Sequence, residues 1–138
     1  MLIINKENAN DIEQIAAMPQ APAIAFISDA PADRDTIRMC RKLNIFSWHP
    51  NFRIVTPDQV DQVHSAGLKV FSFTVNNRAD AIKMLDTGVD GIITDEPALA
   101  RQVMAERSEL NSVERLLIHA AVMLGRSLPQ KEYRDQSP

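Results

Sequence analysis

Short apolar runs recur along the chain, and each is followed by a segment whose apolar residues fall at helical spacing. Leu2, Ile3 and Ile4 form the first run. Residues 11–18 then place Ile12, Ile15 and Ala16 on one helical face, with Asn10 suited to the N-cap. Residues 23–28 (AIAFIS) are the second run, and residues 33–43 (DRDTIRMCRKL) predict a helix with Ile37, Cys40 and Leu43 inward. Residues 45–48 (IFSW) are the third run. Thr56 then serves as an N-cap, Pro57 takes the first helical position and Gln59 closes a capping box. That helix turns Val60 and Val63 inward and ends at Gly67 in a left-handed conformation. Residues 68–75 (LKVFSFTV) are rich in β-branched and aromatic residues and predict the fourth strand. Asn77 caps a helix with Ala81, Ile82 and Leu85 on one face, and Gly88 stops it. Residues 89–93 (VDGII) predict the fifth strand, and residues 97–105 the helix behind it.

The strands begin near residues 2, 23, 45, 68 and 89, a step of roughly 22 residues that predicts βαβ units and a parallel sheet. The pattern is that of an α/β protein. It leaves open two architectures, a piece of a (β/α) barrel or a small five-stranded doubly wound sheet. The last segment differs in kind. Val113, Leu116, Leu117, Ala120, Ala121 and Leu124 form an apolar stripe on an amphipathic helix that starts near Asn111 and stops at Gly125. The stripe must cover either the sheet's edge or a partner chain. The expected division is residues 1–106 as the βα repeat and 107–138 as the helix with a polar, fraying tail.

Composition narrows the class. The chain has 138 residues, 45% apolar, enough for one packed domain, and a net charge of −3 with both signs scattered. No clustered basic face predicts a nucleic-acid partner. The single cysteine, Cys40, rules out an internal disulfide framework, fits a reducing, cytoplasmic setting and is expected to be a structural thiol. Neither a signal-peptide pattern nor a membrane-spanning run is present in these residues. The opening MLII enters a strand almost at once, as an internal or shortened start would.

In parallel α/β proteins ligands sit beyond the carboxyl ends of the strands. The polar residues there are Asn5 and Lys6, Ser28 and Asp29, then Trp48, His49 and Asn51. Thr74, Asn76 and Asn77 follow the fourth run, and Thr94, Asp95 and Glu96 the fifth. His49 can serve as acid, base or anion contact, or be a loop histidine ordered by Pro50 and Asn51. His64 and His119 read as flank residues of their helices. Asp95 and Glu96 precede Pro97, where negative side chains suit a helix start. As a pair they are too few for a magnesium or calcium site, which gathers ligands from several segments. Phe71 and Phe73 alternate with Val70, Ser72 and Thr74, so one set faces the barrel axis or its equivalent. Phosphate-binding glycine loops, HExxH, CxxC and GxSxG are absent.

The chain resembles the C-terminal half of the glycerophosphodiester phosphodiesterases. The resemblance rests on His49-Pro50-Asn51, the Thr56-Pro57 helix start, the Ala66-Gly67-Leu68 turn, the strand end Thr74-Val75-Asn76 and the run GVDGIITDEP, Gly88 to Pro97. It implies a partial TIM barrel, about the last four to five βα units, with the extra C-terminal amphipathic helix beyond it. It also implies hydrolysis of glycerophosphodiesters to glycerol 3-phosphate and an alcohol, a step of lipid and glycerol metabolism, with a bound divalent metal (magnesium or calcium). The family's His-Arg-Gly and Glu-x-Asp motifs, which carry its metal ligands and bases, occur nowhere in these 138 residues. Where many members carry a tryptophan, Phe73 stands here. The resemblance therefore implies no catalytic residue, no metal ligand and no cofactor in this chain, and no hydrolysis by it alone. Its substrate-side contacts would be His49, Asn51, Phe73 and Asn76, placed at the barrel mouth to position a glycerophosphodiester or phosphate ligand. A half-barrel leaves two sheet edges open and predicts a homo-oligomer.

Overall fold

A computed structural model describes residues 1–5, 14–15, 18–19, 22–110 and 112–126. The strands are β1 (Leu2–Ile4), β2 (Ile24–Ser28), β3 (Ser47–Pro50), β4 (Lys69–Ser72) and β5 (Gly91–Ile92). The helices are α1 (Arg34–Lys42), α2 (Pro57–Ser65), α3 (Arg78–Thr87), α4 (Pro97–Ser108) and α5 (Ser112–Met123), with a short 3-10 turn at Phe52–Ile54. The helix expected over residues 11–18 falls largely outside the described residues, as do Asn10, Asn111 and the tail from residue 127.

The sheet order is β1-β2-β3-β4-β5, and every neighbouring pair is parallel. This decides between the two architectures left open by the sequence. A doubly wound sheet reverses its strand order at a switch point so that helices cover both faces. Here each strand lies beside its predecessor, and crossovers of one hand place the helices on one face. That is the progression of a (β/α) barrel, of which five strands are present among the described residues.

Local chemistry sets the helix ends. Asp33 caps α1 by accepting the Thr36 N–H at 2.7 Å, and Asn77 caps α3 by accepting the Asp80 N–H at 2.9 Å. Thr56 Oγ1 accepts the Gln59 N–H at 3.4 Å, but Gln59 Oε1 takes no hydrogen bond, so the expected capping box is only half built. Gly67 follows α2 with φ +82°, and Gly88 ends α3 with φ +87°.

The core lies between the sheet and the helix layer. Ile24, Phe26, Trp48 and Val70 from the strands meet Cys40, Val60, Val63, Ile82, Met84 and Val103 from the helices, all of them buried. Met84 is wholly buried, although the helical pattern points first to Leu85, which is half-buried. Burial pushes the Cys40 thiol up to about 11, so it is an inert packing group, as expected. The opposite face carries Ala25, Ser47, His49 and Phe71. Its centre is closed by its own side chains, while Ile3 and Ile93 at its margins stay exposed.

The third strand runs over residues 47–50, not 45–48. The Ile45 N–H is taken by the Cys40 carbonyl at the end of α1, while the pairing with β2 continues through Ile27↔His49 and Ser28↔Pro50. Proline reads as a strand breaker because it has no N–H, but here only its carbonyl is needed, and it accepts the Phe73 N–H at 2.9 Å.

The final helix departs furthest from expectation. It docks on α3 through Ile118, Val122 and His119, whose Nδ1 lies 2.6 Å from Asp86 Oδ2, while Arg107 of α4 pairs with the same carboxylate. The predicted stripe covers nothing among the described residues. Leu116, Leu117 and Leu124 are 68%, 65% and 73% exposed. An amphipathic pattern defines an apolar face without saying what it meets, and here a narrower face anchored by the His119–Asp86 hydrogen bond docks instead.

Candidate functional site

The carboxyl ends of the strands carry a lattice of polar side chains bonded to one another. Asn51 follows β3. Its Oδ1 accepts the Arg53 N–H at 3.1 Å and so caps the 3-10 turn, and its Nδ2 donates to Asp29 Oδ1 at 3.1 Å. Its own N–H reaches the Ser28 carbonyl at 3.2 Å. One asparagine thus ties the ends of β2 and β3 together. Asn76, after β4, does the same one strand pair further on. Its Oδ1 accepts from Thr94 Oγ1 at 3.1 Å and from the Asp95 N–H at 2.9 Å, and its Nδ2 donates to Asp95 Oδ2 at 2.8 Å. Asn76 therefore fixes the path of the chain leaving β5.

Phe73 lies between these two knots. It bridges Asn51 in parallel fashion, and its carbonyl accepts the Phe52 N–H at 2.8 Å. Phe71 and Phe73 are both half-buried, whereas Val70 and Ser72 are fully buried, so the aromatic set faces away from the helix layer. Gly91 of β5 allows Phe71 its place. A Cβ there would lie 2.9 Å from Phe71 Cδ1 and 3.1 Å from Cε1.

His49 is not a loop residue. It sits inside β3 and is 1% exposed, with its ring edge-on to Phe71 at 5.4 Å between centroids. One ring nitrogen, Nε2, lies 3.0 Å from Ser47 Oγ, and Nδ1 has no partner. Burial pushes the imidazole below its ordinary value and favours the neutral ring. Of the four predicted contacts, Asn51, Phe73 and Asn76 gather at the strand ends, and His49 lies beneath them in the sheet.

The acidic pair does not cap α4 as expected. Glu96 occupies the N-cap position, yet its side chain makes no capping bond, and its N–H donates to Thr94 Oγ1 at 2.9 Å. The Asp95 carboxylate is engaged by Asn76. No local pattern signals this exchange, because the two residues lie 19 positions apart. The Asp29–Asn51 link, 22 positions apart, is hidden for the same reason.

A divalent cation needs several oxygen ligands converging from different segments. Asp29 and Asp95 stand on separate strand ends, each bound by an asparagine amide, and among the described residues no three His, Cys, Asp or Glu side chains gather as a cation site. The donor set present does not fit the metal that the family resemblance implies.

Asn76→Ala removes three hydrogen bonds at an exposed position, for an expected loss of about 1–2 kcal/mol. Amide exchange at Asp95 should accelerate while exchange in β3 stays unchanged. Equal protection of Asp95 in both proteins would show that Asn76 is not its tether.

Sequential parallel strands, helices on one face and polar groups gathered at the carboxyl ends define this as a TIM-barrel type α/β protein, present as a partial barrel. Comparison with known proteins carries the assignment further. The profile of the Glycerophosphoryl diester phosphodiesterase family matches residues 1–99, and the chain belongs to that family. It is 37% identical over 59 residues to a glycerophosphodiester phosphodiesterase of Caldanaerobacter subterraneus subsp. tengcongensis, a match covering 43% of this chain and 24% of that protein. It is 37% identical over 54 residues to one of Bacillus subtilis, covering 39% and 18%. Among solved structures, an Oleispira antarctica phosphodiesterase in complex with the product sn-glycerol-3-phosphate aligns at 21% identity, TM-score 0.65, over 75% of this chain and 42% of that one. A Parabacteroides distasonis glycerophosphodiester phosphodiesterase aligns at 20% identity, TM-score 0.59, over 71% and 40%. These two share the fold. The matched segment spans a quarter or less of these curated relatives and about two-fifths of the solved chains. No helix among the described residues is long and apolar enough to cross a membrane.

Proposed function

We propose that this chain supplies the C-terminal half of a glycerophosphodiester phosphodiesterase barrel, forming the substrate-side wall of the mouth without hydrolysing the ester by itself. The observation that carries the reading is the lattice of Asn51, Phe73 and Asn76 at the strand ends, in a chain that matches the family through residue 99. Hydrolysis of a phosphodiester requires charge neutralisation at phosphorus and a group to move the proton of the attacking water. The family motifs for both are missing from the 138 residues, and the Asp29 and Asp95 carboxylates at the strand ends are hydrogen-bonded by asparagines. In this reading Asn51, Phe73 and Asn76 position a glycerophosphate group, and His49 supports Phe71 from below. The setting is cytoplasmic, in keeping with the one reduced cysteine.

A second reading is favoured by the outer edges of β1 and β5, which pair with no further strand among the described residues. Open edges pair readily with other strands, which would make the chain a non-catalytic half-barrel that oligomerises. Titration of the isotope-labelled chain with sn-glycerol 3-phosphate separates the two. The substrate-wall reading expects saturable shifts at the amides of Asn51, Phe73 and Asn76. A spectrum unmoved at millimolar ligand would remove that reading and leave the interaction module.

A further inference from the structure

The outer face of α5 gathers five of the eleven exposed large hydrophobic side chains among the described residues. Leu116, Leu117, Met123 and Leu124 are each about two-thirds exposed or more, and with Ala120 they form one continuous apolar stripe. Val113, 66% exposed, extends it at the N-terminal end. Scattered exposed leucines are ordinary, but a contiguous patch of this kind marks a contact surface.

We propose that α5 is a homodimerisation helix, pairing antiparallel with α5 of a second copy about a two-fold axis at Ala120. Three observations select a second copy as the occupant. The stripe is symmetric about Ala120: Leu116 and Leu117 stand four and three residues before it, Met123 and Leu124 three and four residues after it. A two-fold contact requires a self-complementary surface, and this spacing supplies one. With Ala120 on the axis, Leu116 and Leu117 of one copy fall at the height of Leu124 and Met123 of the other. The small side chain at the centre lets the helices approach while the large ones interdigitate on both sides. Next, the area suffices. Large side chains exposed to this degree present on the order of 600 Å² per copy, so two copies would bury roughly 1,200 Å², the lower end of stable interfaces. Finally, α5 docks on α3 through Ile118, Val122 and His119, and the stripe lies on the opposite side of the helix from that contact. A lipid surface is the weaker match, because Glu114, Arg115 and His119 beside the stripe are mixed in sign and not the basic rim of an interfacial helix. This dimer stands apart from the substrate-wall reading and from any pairing of sheet edges.

The test uses the 138-residue chain and two variants. Sedimentation at tens of micromolar should give a two-chain species for the unaltered protein and a single-chain species for Leu116→Glu/Leu117→Glu. Both positions are exposed, so the far-ultraviolet spectrum should be unchanged. In Ala120→Cys, mild oxidation should yield a covalent dimer, because a residue on a two-fold axis meets its own copy. Cys40 is 2% exposed and gives no such product in the parent. A monomeric parent protein overturns the proposal. So does a dimer that persists in Leu116→Glu/Leu117→Glu while Ala120→Cys fails to crosslink, which would place the contact at the sheet edges. Binding of the parent to phosphatidylglycerol vesicles, abolished by Leu116→Glu/Leu117→Glu and without a covalent dimer, would make this a lipid-facing helix and equally overturn it.

Discussion

Trp48→Ala should destabilise the chain by about 3–5 kcal/mol, the range for removing a fully buried large aromatic. Trp48 is 1% exposed, the largest side chain of the core, and it lies in the middle strand of five. Its indole N–H is buried without a partner, so its contribution is packing and not hydrogen bonding. Trp48→Phe should therefore retain much of the stability, since it keeps an aromatic ring and removes the unsatisfied donor. A domain of this size has a stability of only about 5–15 kcal/mol, so the alanine variant would lie close to unfolding. Urea titration followed by circular dichroism reads the difference. Equal midpoints for Trp48→Ala and the parent would mean that β3 is not the centre of the core.

The second large effect is electrostatic and lies at the opposite end of the strands. Asp90, just before β5, accepts hydrogen bonds from Lys69 Nζ at 2.8 Å, from the Val70 N–H at 2.8 Å and from His64 Nε2 at 2.7 Å, with its side chain 18% exposed. Burial by itself raises its carboxyl. The Lys69, Val70 and His64 hydrogen bonds outweigh that and hold it at about 2, against an ordinary value of 3.8. A depressed carboxyl stabilises the fold above its unfolded value, and the contribution disappears as pH falls through about 4 toward 2. Lys69 and His64 face solvent, so screening reduces the expected size to about 1–2 kcal/mol. Asp90→Asn should lower stability at pH 7 by a similar amount and flatten the dependence between pH 4 and about pH 2. An acid limb of unchanged slope in the variant would assign it to other carboxylates.

The parts of this fold that are legible in the sequence are those set by local chemistry. Asp33, Thr56 and Asn77 cap helices through bonds three residues away, and Gly88 ends a helix by its own conformational freedom. The alternation of strands and helices follows from periodicity for the same reason. The strand order is a non-local property, and only the pairing registers distinguish a barrel progression from a doubly wound sheet. At the site, the polar character of the strand ends is visible in the sequence, but the Asn51–Asp29 and Asn76–Asp95 links join residues on different strands. Local pattern favours a capping role for Asp95, and tertiary contact with Asn76 overrides it. Pro50 reads as a stop that leaves His49 beyond the strand, whereas the strand continues through both. The apolar stripe of α5 is plain in the sequence, but its direction depends on where Asp86 holds His119 on the other face.

In the proposed reading these 138 residues hold the wall of a phosphodiesterase site and not its chemistry. Release of glycerol 3-phosphate from glycerophosphocholine, by the purified chain with magnesium or calcium present, tests it most directly. The purified chain should give no release above a protein-free control. Release that scales with the concentration of the chain and stops on chelation of the metal would contradict it.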